Sequence, residues 1–362
     1  MRAAGKVLTA KQCIVGLQNL KRQTARGGWI FISCLTGKQM KRTSILVLAH
    51  PDEPQIPMLE AIQETADLVI GNSTEAFEQA ASDAEVIFNW SGSLALFREV
   101  FSKCHNLQWV HSRSVGLERT LFQELIASEV VLTNGSGVFS PSLGEFSLAA
   151  ILYFAKDFRR MIRNQLAGVW EAFDVMPIAG QTVGIVGYGD IGRAIAQRAR
   201  GAGMKVLAVK RQVSATDKID PLVDEIFTTD RRIEMIPRCD YIAVAAPLIR
   251  ETRGLIGAAE LAAMKNTAVV INVGRGPIID ESSLIKALTE KRIKGAALDV
   301  FDEEPLPASH PFYKLENVLL CPHCADHTPD WLDNAMRFFI AQFERFQRGE
   351  PLWNIVDKKL GY

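Results

Sequence analysis

Val183–Gly203 is VGIVGYGDIGRAIAQRARGAG. An apolar run leads into Gly187, Gly189 and Gly192 at G-x-G-x-x-G spacing, and the residues beyond them are rich in Ala and Ile. In a strand–turn–helix frame the first glycine permits a tight turn. The second lets backbone approach a pyrophosphate, and the third lets the helix pack closely on the strand. Asp190 and Ile191 open the helix, whose start offers free N–H groups and a positive dipole end. A second apolar strand, KVLAV from Lys205, follows at βαβ distance. The stretch predicts a dinucleotide-binding α/β unit.

The end of that second strand is where the adenine ribose is gripped. NAD sites place Asp or Glu there. Here the strand ends in Lys210-Arg211, and no acid occurs between Gly192 and Asp217. Two cations suit a 2′-phosphate, so NADP is the expected cofactor, with NAD the alternative if the loop ignores the ribose.

Further strands flank this unit. ILVLAH from Ile45, AEVIFNW from Ala84, LQWVH from Leu107 and VVLTN from Val130 have buried-strand length, and MLEAIQETA from Met58 is helical. One long helical stretch is expected from Pro141 through Gln165. A second strand series then runs TVGIVG, KVLAV, YIAVAAP, AVVINV, GAALDV and NVLLCPH, and an amphipathic helix closes the chain from Pro329 to Arg348. Such alternation indicates α/β architecture with parallel sheets.

The chain has 362 residues, 48% hydrophobic and 23% charged, which is ordinary globular composition. No run approaches the ~18 apolar residues of a membrane span. Six cysteines in this length make no disulfide framework. Net charge is zero, but Met1–Arg42 holds nine Lys or Arg and no acid, which leaves a mildly acidic body. That body gives no reason to expect nucleic-acid binding. The basic front, with Val7/Leu8 and Ile14/Val15 one heptad apart, has the character of a mitochondrial transit peptide. The alternative is an uncleaved extension of a cytoplasmic protein.

Three further segments carry chemistry. INVGRGPIIDESSLIKAL sets Arg275 in a Gly-rich turn after a strand, GAALDVFDEEPLP sets Glu304 directly before a proline, and NVLLCPHCADHT sets His323 after another strand. Together with the glycine motif, they resemble the D-2-hydroxyacid dehydrogenase family, including its glyoxylate/hydroxypyruvate reductases. The resemblance runs from about Ser44 to the C-terminus and is strongest from Gly180 to His323. It implies two Rossmann-like domains with a cleft between them. A flavodoxin-like substrate domain would comprise 44–140 and 325–362, and a dinucleotide-binding domain 141–324, behind the basic extension 1–43.

The resemblance also implies roles. Arg275 would hold the carboxylate of a 2-oxo acid with its planar fork of donors and polarise the ketone. His323 would be the general acid, protonating the oxygen as hydride arrives. Glu304 would orient the imidazole and favour its charged form. WVHSRSVGLER resembles the family's substrate loop, where the N–H groups of Val115 and Gly116 receive the carboxylate. Asn89–Gly92 occupies a position that can line the pocket. Pro247 and Thr252 would flank the nicotinamide, and Asp299 would meet its carboxamide. A homodimer is implied as well. The activity implied is NAD(P)-dependent reduction of a small 2-oxo acid to the D-hydroxy acid. The same fold also serves dinucleotide-sensing corepressors, the alternative from a different class.

Cys321-Pro-His-Cys324 matches the C-x-x-C of thiol oxidoreductases, but that motif opens a helix early in its domain. Here it closes a last strand. Cys321, His323, Cys324 and His327 crowd seven residues with no distant second pair to complete a zinc tetrahedron, so no metal is expected.

Overall fold

The computed structural model describes residues 21–23, 29–31, 42–214 and 220–362. The transit-peptide reading lies almost wholly outside these residues. Within that segment Lys21–Gln23 (β1) and Trp29–Phe31 (β2) pair antiparallel.

From Thr43 onward the chain builds two parallel sheets. The first has five strands: Thr43–Leu48 (β3), Ala66–Gly71 (β4), Val86–Asn89 (β5), Trp109–Ser112 (β6) and Val131–Asn134 (β7), in the order β4-β3-β5-β6-β7. This is the flavodoxin-type order. The second has seven: Thr182–Val186 (β8), Lys205–Lys210 (β9), Glu225–Thr228 (β10), Tyr241–Val244 (β11), Val269–Asn272 (β12), Gly295–Leu298 (β13) and Val318–Leu320 (β14). Its order, β10-β9-β8-β11-β12-β13-β14, is the doubly wound dinucleotide-binding order plus one strand. Strand order reverses between β8 and β11, and ligands bind at such switch points.

Every strand pair in both sheets is parallel, and the strands are apolar on both faces. Parallel strands need both faces covered. The second sheet has one cluster around Val244, Val270 and Ile256 and another around Ile185, Ala243 and Ile271. The glycine turn is dictated by sterics. Gly187 has φ +98°, which an L side chain rarely adopts, and a Cβ there would meet the Ala246 backbone. A Cβ on Gly192 would collide with the Gly187 carbonyl.

Four local expectations are corrected. The stretch from Met58 is a 3-10 helix, Ile56–Ile62, started by Pro57. The long helix from Pro141 is two, Ser140–Lys156 and Phe158–Ala167, because Asp157 takes a left-handed conformation (φ 52°) and caps the second by accepting from Arg160 N. Strands β4 and β10 are additions to the strands expected from sequence.

The closing helix, Trp331–Gln347, returns to the first sheet. Phe339 stacks on Phe88 at 3.9 Å and on Trp109 at 5.6 Å. Among these rings lies His111, 1% exposed, its Nδ1 2.8 Å from Thr133 Oγ1. Burial pushes its pKa from 6.5 down to about 3. The unfolded chain takes up this proton near pH ~6.5, but the folded chain does not until far lower. Between those values the unfolded state binds more protons, so stability falls as pH falls. Denaturant unfolding at pH ~6.5 and pH ~4.5 should show the wild type losing about 2 kcal/mol more than His111→Gln. Equal pH dependence of the two proteins would mean that His111 accepts its proton inside the fold.

Candidate active site

The loop after β12 is pinned by Asn272, which is 1% exposed. Its amide donates to Arg275 O (3.0 Å), and its carbonyl accepts from Gly274 N (3.1 Å). The chain then turns tightly at Gly276, where a Cβ would collide with the Phe301 carbonyl. This geometry projects Arg275 out of the second sheet towards the first. Its Nη1 donates to Gly274 O (2.8 Å) and its Nε to Glu118 Oε1 (3.1 Å). The guanidinium lies so close to Gly116 that a Cβ there would have to displace it. Glu118 was not anticipated from the sequence. It lies 157 positions from Arg275, and no local pattern couples the two.

Glu304 is held at both oxygens. Oε1 accepts from Phe301 N (2.9 Å), and Oε2 lies 2.7 Å from His323 Nδ1. Nδ1 is thereby committed to the carboxylate, and Nε2 is the free ring nitrogen. His323 has φ 50°, uncommon for a residue with a Cβ. Its N–H donates to Cys321 O (3.0 Å), and the next two N–H groups, of Cys324 and Ala325, donate to Asp299 Oδ1 (3.0 and 3.1 Å).

Arg275, Glu304 and His323 line one cleft of about 900 Å³, together with Val115, Gly116 and Asp299. Ser91 and Gly92 also line it, while Asn89 is buried at the end of β5. An adjoining cavity of about 330 Å³ is lined by Gly189, Asp190, Ile191 and Pro247. The tail residues Asn354–Val356 and Tyr362 line it too, which the sequence reading missed. Thr252 lines neither cavity. Its hydroxyl donates to Pro247 O (2.6 Å) and accepts from Ile249 N (2.9 Å), so it folds the loop on itself and leaves the edge to Pro247. Lys210 ends β9, and the exposed Arg211 lies 5.0 Å over the Tyr362 ring.

The two cysteines flanking His323 have sulfurs 3.6 Å apart. Burial and the neighbouring Asp299 carboxylate push the Cys321 thiol pKa well up. Asp326, also on the cleft wall, is raised mainly by burial. Among the described residues no group of three or more His, Cys, Asp or Glu side chains is arranged to hold a metal, and no helix is long and apolar enough to cross a membrane.

A pyrophosphate fits the glycine turn. A Cβ on Gly189 would point into open space, and the helix Asp190–Gly201 begins directly after it. Residues 148–325 match the family model described as D-isomer specific 2-hydroxyacid dehydrogenase, NAD binding domain. A glyoxylate reductase of Korarchaeum cryptofilum is 32% identical over 274 residues, covering 72% of this chain and 80% of that one. Glyoxylate/hydroxypyruvate reductase B of Salmonella schwarzengrund is 33% identical over 266 residues, 71% and 80% of the two chains. The crystal structure of a D-isomer specific 2-hydroxyacid dehydrogenase from Xanthobacter autotrophicus Py2, in complex with NADPH and MES, superposes with a TM-score of 0.76 at 28% identity, covering 89% of this chain and all of that one. With its two parallel sheets and its dinucleotide turn, the chain belongs to the D-isomer-specific 2-hydroxyacid dehydrogenase family of nicotinamide-dinucleotide oxidoreductases.

Proposed function

We propose that the protein is an NADPH-preferring 2-oxo-acid reductase in which Arg275 binds the substrate carboxylate and His323 is the general acid. The observation that carries this reading is the 2.7 Å His323–Glu304 contact in the same cleft as the Arg275 guanidinium. Arg275 reaches the Val115–Gly116 loop, so a carboxylate there meets the guanidinium fork and the loop N–H groups together. A 2-oxo acid bound this way turns its ketone oxygen towards His323. Glu304 holds Nδ1 by its contact, which leaves Nε2 to pass a proton to that oxygen. The glycine turn at Gly189 would hold the pyrophosphate of a reduced nicotinamide dinucleotide and Pro247 would border its nicotinamide, which when bound would supply the hydride. Catalysis separates this reading from a dinucleotide-sensing corepressor, because only the enzyme oxidises NADPH with 2-oxo acids.

His323→Ala should lower kcat by roughly 10²–10⁴-fold, the usual contribution of general-acid catalysis. Arg275→Lys should be severely impaired, because an ammonium cannot reproduce the fork. Cys321→Ser and Cys324→Ser should retain most activity, since a protonated thiol is a poor nucleophile. NADPH oxidation followed at 340 nm with glyoxylate and hydroxypyruvate is the assay. Dead cysteine variants beside an active histidine variant would overturn the assignment.

Lys210 and Arg211 support NADPH over NADH, because a 2′-phosphate at the end of β9 meets two cations. Arg211 is further held by the Tyr362 ring. Charge-assisted contacts of ~1.5 kcal/mol each give about tenfold per contact. The wild type should therefore favour NADPH in kcat/KM by roughly ten- to a hundredfold. Lys210→Asp with Arg211→Ala should remove that preference. Equal wild-type values for the two cofactors would place ribose recognition elsewhere.

The homodimer reading is supported by the helix Phe158–Ala167 and the segment after it. Ile162 is 54% exposed, Leu166 83%, and Trp170 fully. A contiguous exposed apolar surface of this kind marks an interface. Light scattering should give twice the chain mass, and Ile162→Asp with Leu166→Asp should halve it. A monomeric wild type would refute the assembly.

A further inference from the structure

Besides Arg275 the cleft is lined by Arg113 and Arg119, cations that the reaction as proposed leaves unused. Arg113 directly follows β6, two residues before Val115, and lines the cleft with Ser91, Gly92, Trp331 and His327. Its Cζ lies 4.7 Å from the Trp90 ring centroid and 5.8 Å from that of Trp331. Both indoles are fixed. Trp90 is fully buried and donates from Nε1 to Glu53 Oε2 at 2.6 Å, and Trp331 stacks on His327 at 4.3 Å and meets Phe139 edge-on.

The Arg113 guanidinium carbon therefore lies over two aromatic rings, and the group still carries its N–H donors. Among the described residues no carboxylate or carbonyl accepts from these donors at hydrogen-bond distance. The acid whose field it feels, Glu53, is tied to Trp90. A largely buried guanidinium is costly to hold without acceptors. Burial pulls its pKa down, and Glu53 partly restores it. A cleft of about 900 Å³ also exceeds what a two- or three-carbon acid needs, even with a nicotinamide ring inside it.

We propose that Arg113 receives a second anionic group, a carboxylate or phosphate on the far end of the substrate, so that 2-oxo acids with an anionic far end are preferred to monoanionic counterparts whose far end is neutral. This rests on the 2-oxo-acid reductase reading and adds a specificity residue to it. Arg275 takes the carboxylate beside the ketone, and Arg113 takes the distal anion. Trp331 and His327 line the wall beside Arg113, and Asp326, raised by burial, sits between His323 and His327 in sequence.

The test compares a substrate bearing a distal anion with a counterpart lacking it, within each protein. One arm pairs 2-oxoglutarate with its 5-amide, and the other pairs phosphohydroxypyruvate with hydroxypyruvate. The wild type should favour the dianion in kcat/KM by at least about tenfold in one arm, and that arm names the anion. Arg113→Met should bring the ratio close to one. Arg113→Lys keeps the charge without the planar stack and should keep a smaller preference of the same sign, which guards against a methionine variant that fails to fold. A wild type with no preference in either arm, or a preference that survives Arg113→Met, overturns the proposal. If no 2-oxo acid is reduced at all, the functional reading fails separately. Binding of 2-oxoglutarate and phosphohydroxypyruvate, followed by tryptophan fluorescence without cofactor, then decides. Binding weakened about tenfold or more by Arg113→Met keeps the anion site, and equal binding by wild type and variant removes it.

Discussion

Asp299 is the point on which the site's geometry turns. It lies at the end of β13, 1% exposed, and one of its oxygens accepts two successive backbone N–H groups, those of Cys324 and Ala325. Ser142, from the helix Ser140–Lys156, holds Ala325 from the other side by donating to its carbonyl at 2.6 Å. The chain leaving β14 is therefore clamped immediately after His323, where it must turn back towards the first sheet. A buried carboxylate is tolerable because backbone donors replace its lost hydration. The left-handed conformation of His323 is held by this clamp together with the Glu304 contact. Local strain persists at functional positions only when the surroundings over-determine it. The resemblance placed Asp299 beside the carboxamide. The fold also spends it on positioning the histidine.

That clamp decides how the two cysteines behave. Cys321 and Cys324 are as close as a thiol pair can be without bonding, 3.6 Å at sulfur, yet the same carboxylate that fixes the loop keeps the Cys321 proton in place. Reactive thiols need an electropositive setting that lowers their pKa. Here burial and a neighbouring anion both act the other way. The C-x-x-C spacing is thus a consequence of where the His323 loop turns, and the pair packs as small half-buried filling around the histidine.

What could be read from the chain depends on how local each determinant is. The glycine turn was legible because its three glycines lie within six residues; the clash at Gly192 is local, with the Gly187 carbonyl, whereas the clash at Gly187 is with the distant Ala246 backbone and arises only in the fold. Arg275, Glu304 and His323 were legible through a motif order, and they do converge on one cleft. Strand β4 was missed because Asp67 interrupts its apolar run, and β10 because EIFT is short and begins with an acid. The bonds of the Thr252 hydroxyl to Ile249 N and Pro247 O were not legible, because a hydroxyl can close its own loop in several ways and sequence cannot say which bond wins. The Glu118–Arg275 pair and the Trp90–Arg113–Trp331 stack join elements far apart in the chain, so no periodicity announces them.

The Glu118 pair also bears on how the cleft admits an acid. Arg275 is only about one-third exposed, and Glu118 similarly so, which makes their contact a part-solvated ion pair. Such pairs contribute about 0–1 kcal/mol. On the proposed reading, a substrate carboxylate forming a bidentate bond in the same place would displace Glu118 at little cost, and Glu118 would take up water instead. The guanidinium never needs to stand bare in the cleft before substrate arrives, because Glu118 holds its plane towards the Gly116 loop. Arg113 has no such carboxylate stand-in and relies on the two indoles for its orientation. The two arginines are thus pre-organised by different means. One is held by an exchangeable anion, which would suit the carboxylate that the proposed substrates share. The other lies over two indole rings on the cleft wall.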